Sequence, residues 1–268
     1  MPNSFNRTAS GLLAHLLRPL LICVCLLAAA LAVLAIAAAP APRLAPPSRN
    51  LQQSAAAAPS SDRFDMQVRS DMFAGMAGDH DALDRAMKLC EQALTSDQKN
   101  ATALVWHGSG LVFQAGQMFR SGDYVSGKQV IIRGFKEMGD AVALAPDSLT
   151  TLIPRGASLL GYAQHSTDPE RAKPRLLQGL SDYEKVLGIQ KTQWGSIPAH
   201  SRGELLSGLV EGWLRAGDAA KARAYAQRIV DDLPGTRYAA RAKDFLSASP
   251  APAQIDWQCI GCHAGAGR

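Results

Sequence analysis

The stretch covering residues 62–248 is a succession of helix-length amphipathic segments separated by Gly, Asp, Asn and Pro. The clearest pair covers residues 205–216 and 219–233, joined by a Gly-Asp turn and closed by Pro-Gly. Small side chains at Ala222 and Ala226 allow these two segments to approach closely, and the proline ends the second one. Together with abundant alanine, the pattern predicts an all-α fold made of helical hairpins. Because one hairpin cannot bury its apolar face alone, we expect neighbouring hairpins to stack.

The hairpins resemble the tetratricopeptide repeat, a helix–turn–helix unit of about 34 residues. In the second helix of that family, small or apolar residues recur at offsets of four and seven, and a proline follows twelve residues after the first. Four series in this chain fit the spacing in full or in part, and they begin at Ala86, Gly134, Gly179 and Ala222. The resemblance implies an α-solenoid whose concave face binds a peptide or protein segment, although the fold names no partner.

The four series start 48, 45 and 43 residues apart, which is longer than the family's repeat. We expect the extra length in loops such as residues 121–129 and 165–174. The sequence thus favours about four divergent repeats with long turns, and the alternative is a helical bundle without repeats.

The N-terminal segment, residues 1–40, contains an uncharged run from residue 19 to 39. Twenty-one residues at about 1.5 Å each span a hydrocarbon core of about 30 Å, which predicts a transmembrane helix. Arg7 and Arg18 precede the run, so the N-terminus should stay in the cytoplasm. A cleaved signal peptide is the alternative, and both interpretations export the rest of the chain. Residues 41–61 are rich in Pro, Ala and Ser and are typical of a linker.

The C-terminal tail, residues 249–268, carries the motif Cys259-Ile260-Gly261-Cys262-His263. This C-x-x-C-H spacing is that of covalent c-type haem attachment. The two sulfurs, at Cys259 and Cys262, bond to the haem vinyl groups, and His263 ligates the iron from the proximal side. A C-x-x-C redox pair, a partial zinc site and an unused remnant are the alternatives. Zinc would need further ligands, and the chain has no second cysteine pair.

The motif resembles that of c-type cytochromes over these five residues only. In that family most of the fold that encloses the haem follows the motif, whereas only residues 264–268 follow it here. We therefore do not expect a self-contained cytochrome domain. The haem would be exposed, or covered by the helical domain or by a partner protein.

Other candidate chemistry is sparse. Asp79-His80-Asp81 places an imidazole between two carboxylates, but it precedes a helix, where aspartate is a common cap. Cys90 fills a packing position, and Trp194 is a candidate surface contact. The lone histidines lack partners at metal-ligand spacing: His107, His165 and His200.

These features predict a single-pass protein of the bacterial inner membrane, with its soluble part in the periplasm and one covalent haem c. Its role would be that of an electron-transfer or interaction accessory protein rather than an enzyme, with an envelope protein or redox partner bound by the repeats. The alternative is a pure scaffold whose C-x-x-C-H motif carries no haem. A haem-dependent enzyme such as a peroxidase is disfavoured because no distal acid–base residue is visible. The net charge of +5 is scattered, so nucleic acid is not an expected partner.

Overall fold

A computed structural model describes residues 63–248 together with Ile255 and Trp257. Over these residues the fold is all-α, as predicted, and it contains no strand. The predicted membrane segment 1–40, the linker 41–61 and the motif residues Cys259, Cys262 and His263 lie outside the described residues. None of the described helices has the length and apolar character needed to cross a membrane.

Nine α-helices and one 3₁₀ segment follow one another along this part of the chain. Their bounds are α1 Phe64–Met76, α2 His80–Ser96, α3 Ala101–Arg120, α4 Tyr124–Leu144, α5 Leu149–His165, α6 Pro169–Ile189, the 3₁₀ segment Lys191–Ser196, α7 Ala199–Arg215, α8 Ala219–Asp232 and α9 Arg237–Ser247. The helices pair as α1/α2, α3/α4, α5/α6 and α7/α8, and α9 packs on α8. The first helices also contact one another, α3 touching α1 and α5, and α5 touching α7. The hairpins therefore stack through their first helices.

In three of the four hairpins, the turn between the two helices has the sequence Gly-Asp. In each, the glycine has a positive φ of 87° to 115°, which only glycine adopts without strain. The next aspartate donates its backbone N–H to the carbonyl five residues earlier, which closes the first helix. Its side chain accepts from the N–H three residues later and so caps the second helix. The pairs are Gly78-Asp79, Gly122-Asp123 and Gly217-Asp218, and the interpretation of Asp79 as a cap is confirmed.

The small residues that open the four series lie where helices touch. Ala86, Gly134, Gly179 and Ala222 are all buried, one in each second helix. A Cβ at Gly134 would lie 2.8 Å from the carbonyl oxygen of Gly108, and one at Gly179 would lie 3.1 Å from that of Gly156. The equivalent hairpins α3/α4 and α5/α6 therefore cross at backbone-to-backbone contact.

Helix α3 lies at the centre of the first half of the fold. Residues 105–112 are buried without interruption, so this helix has neighbours on every side. Its three consecutive small residues, Gly108, Ser109 and Gly110, make room for them. The hydroxyl of Ser158 in α5 donates to that of Ser109 at 2.8 Å, and Ser109 in turn donates to the carbonyl of Val105.

The expected long loops are wrong. Residues 124–129 are the first part of α4, and residues 169–174 are the first part of α6. The turns at both places are short. The extra length of the repeated unit lies in its helices: the second hairpin has helices of 20 and 21 residues, and the third has one of 21 residues. The repeated unit is lengthened by helix rather than by loop.

Two glycines of α4 predict opposite effects of the same substitution. Gly134→Ala should destabilise the protein by roughly 1–3 kcal/mol, because the new Cβ meets the carbonyl of Gly108. Gly139→Ala should stabilise it by up to about 1 kcal/mol, because no atom lies within 4 Å of the new Cβ and alanine favours the helix. Urea unfolding followed by circular dichroism measures both, and equal shifts would contradict the close crossing at Gly134.

Candidate functional site

Trp257 lies two residues before Cys259 and is packed into the helical domain. Its side chain is 9% exposed and belongs to the core formed with α6–α9. The ring meets Phe245 of α9 edge to face, with centroids 5.8 Å apart and an interplanar angle of 83°. Ile255 packs against the same core. The chain therefore contacts the helical domain at Ile255 and Trp257, before the motif begins.

Glu211 of α7 holds the backbone at this point. The residue is 6% exposed, and its Oε2 accepts the backbone N–H of Trp257 at 3.4 Å. Its Oε1 lies 3.8 Å from the guanidinium of Arg215. A buried carboxylate is tolerated when donors and a cation face it, and here one of the donors belongs to the tail. We call Glu211, Phe245 and Trp257 the tail anchor.

A hollow of about 290 Å³ opens beside the tail anchor. Its walls combine two aromatic rings, aliphatic carbon, one cation and one carboxylate. The lining residues are Arg241, Asp244, Phe245, Ala248, Ile255 and Trp257.

The surroundings of the anchor fit a haem attached at the motif. Cys259 follows Trp257 by two residues in sequence, and two residues span at most about 7 Å. Aromatic and aliphatic walls suit a porphyrin face, and a guanidinium suits its anionic carboxylates. The hollow is smaller than a whole haem, so it would cover one edge of the ring and leave the remainder exposed.

His107 is buried in α3, away from the tail anchor. It is 1% exposed, its Nδ1 lies 2.5 Å from Oε2 of Glu137, and its Nε2 lies 3.8 Å from Oε1 of Glu91. Burial alone would raise the pKa of Glu137, but its hydrogen bonds and charge pairing with His107 and Arg133 lower that pKa below its ordinary value. The imidazole is therefore a structural link between α3 and α4.

Cys90 lies in the same region, in α2. It is fully buried, and burial raises the pKa of its thiol to about 12. A thiol held neutral in an apolar setting is unreactive, so the prediction of a core residue is confirmed. Over the described part of the chain, no group of three or more His, Cys, Asp or Glu side chains is arranged to hold a metal ion.

Trp194 is a contact within the chain rather than a free surface side chain. It is partly buried in the 3₁₀ segment, and its Nε1 donates to Asp232 Oδ2 at 2.7 Å. The guanidinium of Arg228 lies 4.9 Å from its ring centroid. His200 is exposed and lies within 2.7 Å of the Tyr238 hydroxyl, and His165 is exposed at the end of α5.

Sequence reasoning missed the tail anchor. Glu211 lies in an apolar stretch of α7, Glu-Gly-Trp-Leu, with Arg215 four residues later as its local partner, and a carboxylate within such a stretch was the available signal. The pair Ile255 and Trp257, with alternate large apolar side chains directly before the motif, was the second signal.

The tail anchor predicts that Trp257→Ala releases the tail. Burial of a large apolar side chain contributes about 1.5–3 kcal/mol, so the tail should be cut by protease roughly 10–100-fold faster. Limited proteolysis read by mass spectrometry measures the rate of cleavage within residues 249–258. Trp257→Phe, which keeps a ring against Phe245, is the control and should stay close to wild type. An unchanged rate in the alanine variant would contradict the anchor.

No protein-family model matches the chain, and no curated protein or solved structure shows significant similarity to it.

Proposed function

We propose that this chain is a periplasm-facing helical-repeat protein, anchored in a bacterial inner membrane, that carries one covalent haem c at its C-terminus. The observation that carries the proposal is the C-x-x-C-H motif two residues beyond the buried Trp257. An unused remnant would not require a tryptophan and a buried carboxylate to hold it against the fold.

We infer further that the helices form a tetratricopeptide-like α-solenoid. Stacking of α1, α3, α5 and α7 supports this, because the first helices of such repeats line one face. Small residues buried in all four second helices, and a Gly-Asp turn shared by three hairpins, support a unit that recurs. A bundle without repeats has no reason to reuse the same turn.

Attachment requires only residues of the tail. Each thiol, of Cys259 and of Cys262, would add across one vinyl group, with the sulfur bonding to one vinyl carbon and the proton passing to the other, so the addition needs no oxidant. His263 would then bind the iron. When bound, haem supplies a one-electron redox centre.

The exported location is part of the same proposal. Haem c is attached outside the cytoplasm. The uncharged run of residues 19–39 directs the chain there whether it is a transmembrane anchor or a cleaved signal peptide. A haem on a helical scaffold fits an accessory role, such as carrying electrons or organising partners, better than it fits catalysis.

A haem stain of the membrane fraction tests the proposal. The full-length band from a host that matures c-type cytochromes should stain after denaturing electrophoresis, and protease added to spheroplasts should remove the stain. A full-length protein without covalent haem would overturn the proposal and leave the scaffold alternative.

The scaffold alternative has one observation in its favour. An open hollow of about 720 Å³ lies far from the tail anchor along the chain, between the start of α2 and the end of α3. It is lined by His80, Gln114, Gln117, Met118, Arg120 and Ser121. Its lining combines polar head groups with a larger apolar surface, which suits a peptide segment.

A further inference from the structure

The three most exposed large apolar side chains of the described domain lie together on α4. Tyr124, Val125 and Ile132 are 68%, 74% and 58% exposed, whereas the other exposed large apolar side chains are 39–45% exposed. Residues four apart lie on the same face of a helix, so Tyr124, Lys128, Ile132 and Lys136 form one row, with Val125 beside it. We call these five residues the α4 ridge.

The start of the α4 ridge is held in place from the side of α3. The ring of Tyr124 stacks on that of Phe119, with centroids 6.4 Å apart and an interplanar angle of 24°. Phe119 in turn lies against Gly127, where an added Cβ would be 2.6 Å from its ring. The apolar side chains are therefore presented to solvent on a helix that is packed from behind.

The charges along the α4 ridge are positive, and one of them has no counter-ion. Arg133 and Lys136 each pair with an acid four residues later in α4. Lys128, the remaining cation of the helix, forms no ion pair with a described residue. The exposed Asp123 accepts a backbone N–H and caps the helix. A free ammonium group thus lies between the apolar side chains of Tyr124 and Ile132.

We propose that the α4 ridge binds the surface of a lipid bilayer that contains anionic phospholipid. A helix lying in the plane of such a surface buries its apolar side chains at the boundary of the acyl chains, and its cations attract the anionic headgroups. A lysine can lay its aliphatic stem along apolar surface while its ammonium group reaches a phosphate. Tyrosine is enriched at this depth of the membrane. The inference goes beyond the proposed function and does not depend on haem.

A protein partner fits the α4 ridge less well. The centre of a protein interface is depleted of charged residues, whereas here a lysine stands in the middle of the apolar row. A second copy of the chain would bring the same cations to the contact. The charge and the small apolar area together favour an anionic lipid surface.

Footprinting of α4 on vesicles tests the proposal. The full-length protein is reconstituted in vesicles of phosphatidylcholine alone and in vesicles of two parts phosphatidylcholine to one part phosphatidylglycerol. Hydroxyl-radical modification, read by mass spectrometry, should fall at Tyr124 in the anionic vesicles only. Met66, which is exposed on α1, is the internal reference and should be modified equally in both. The readout is local to α4, so neither the haem nor the anchor of the proposed function decides the result.

Three variants identify the groups that bind. Lys128→Gln should lower the ratio of lipid-bound to free ridge about fivefold, the factor expected for one basic residue at an anionic surface. Ile132→Ser should also reduce the protection of Tyr124, because it removes apolar area without changing the charge. Lys243→Gln, which removes an exposed cation from α9, is the matched control and should behave as wild type. Circular dichroism should give the same helix signal for all three.

The outcomes that overturn the proposal are distinct. Equal modification of Tyr124 in the two kinds of vesicle would overturn it, and so would equal protection of Met66. Protection that persists in both Lys128→Gln and Ile132→Ser would show that the α4 ridge is not the binding surface. Protection of Tyr124 that increases with protein concentration in the absence of lipid would assign the ridge to a second copy of the chain instead.

Discussion

Replacing Cys259 and Cys262 together by serine is expected to abolish covalent haem while leaving the helical domain folded. Serine cannot form the thioether bonds, so the haem stain should disappear completely. Helix content and melting should stay close to wild type, because the tail anchor uses Trp257 and Glu211 rather than the cysteines. Circular dichroism and haem staining of the same preparation measure both effects.

Two further variants complete this experiment. Cys90→Ala keeps both motif cysteines and should retain the haem, because Cys90 is buried in α2. His263→Ala should change the iron ligation and lower the yield of attached haem. Residual covalent haem in the double-serine protein would mean that attachment occurs elsewhere, and an unfolded double-serine protein would mean that the haem itself holds the fold together.

Removing the carboxylate of Asp182 is expected to cause the largest loss of stability among single substitutions in the helical domain. Arg155 of α5 donates to Asp182 of α6 through Nε at 2.7 Å and Nη2 at 2.6 Å, and the side chains are 11% and 5% exposed. Asp182→Ala leaves the guanidinium buried without its counter-ion, which costs about 3–5 kcal/mol. The melting temperature should fall by roughly 6–20 °C.

The matched control is an exposed ion pair. Lys136 and Asp140 lie one turn apart on α4, with side chains 74% and 49% exposed. Asp140→Ala should cost less than about 1 kcal/mol, because water and salt screen such a pair. Similar melting of the two variants would show that the Arg155–Asp182 pair is not buried in solution as it is in the structure.

The paired helices could be predicted from sequence because their signals are local. Small residues at helical spacing and a Gly-Asp turn determine where two helices touch and where the chain reverses. Ala222 and Gly134 were identified in this way, and both lie at buried helix contacts.

The starts of α4 and α6 differ from the expectation that the extra repeat length lies in loops. Residues 124–129 include glycine and β-branched valine, and residues 169–174 begin and end with proline, yet both stretches are helical. In the structure Asp123 and Asp168 each cap a helix through a backbone N–H three residues later. Pro169 occupies the first turn of α6, where its missing N–H costs nothing, and Pro174 lies inside the same helix.

The tail anchor was missed for a different reason. Glu211 and Trp257 are 46 residues apart, and their contact depends on how α7, α9 and the tail come together in space. Neither residue carries a spacing motif. The C-x-x-C-H motif, by contrast, can be recognised because its residues are neighbours in sequence.

The short connection between α9 and Trp257 has a consequence for where the motif can be found. Trp257 lies nine positions after Ala248, so the two binding surfaces meet at an effective concentration in the millimolar range, and a contact too weak to join separate molecules suffices to hold the tail. When the contact opens, the nine steps from Ala248 to Trp257 extend about 30 Å at most. The motif therefore lies against the helices when the Trp257 contact is formed, and can reach outward by roughly the diameter of a small domain when the contact is open. The occupancy of the Trp257 contact sets the balance between these two positions.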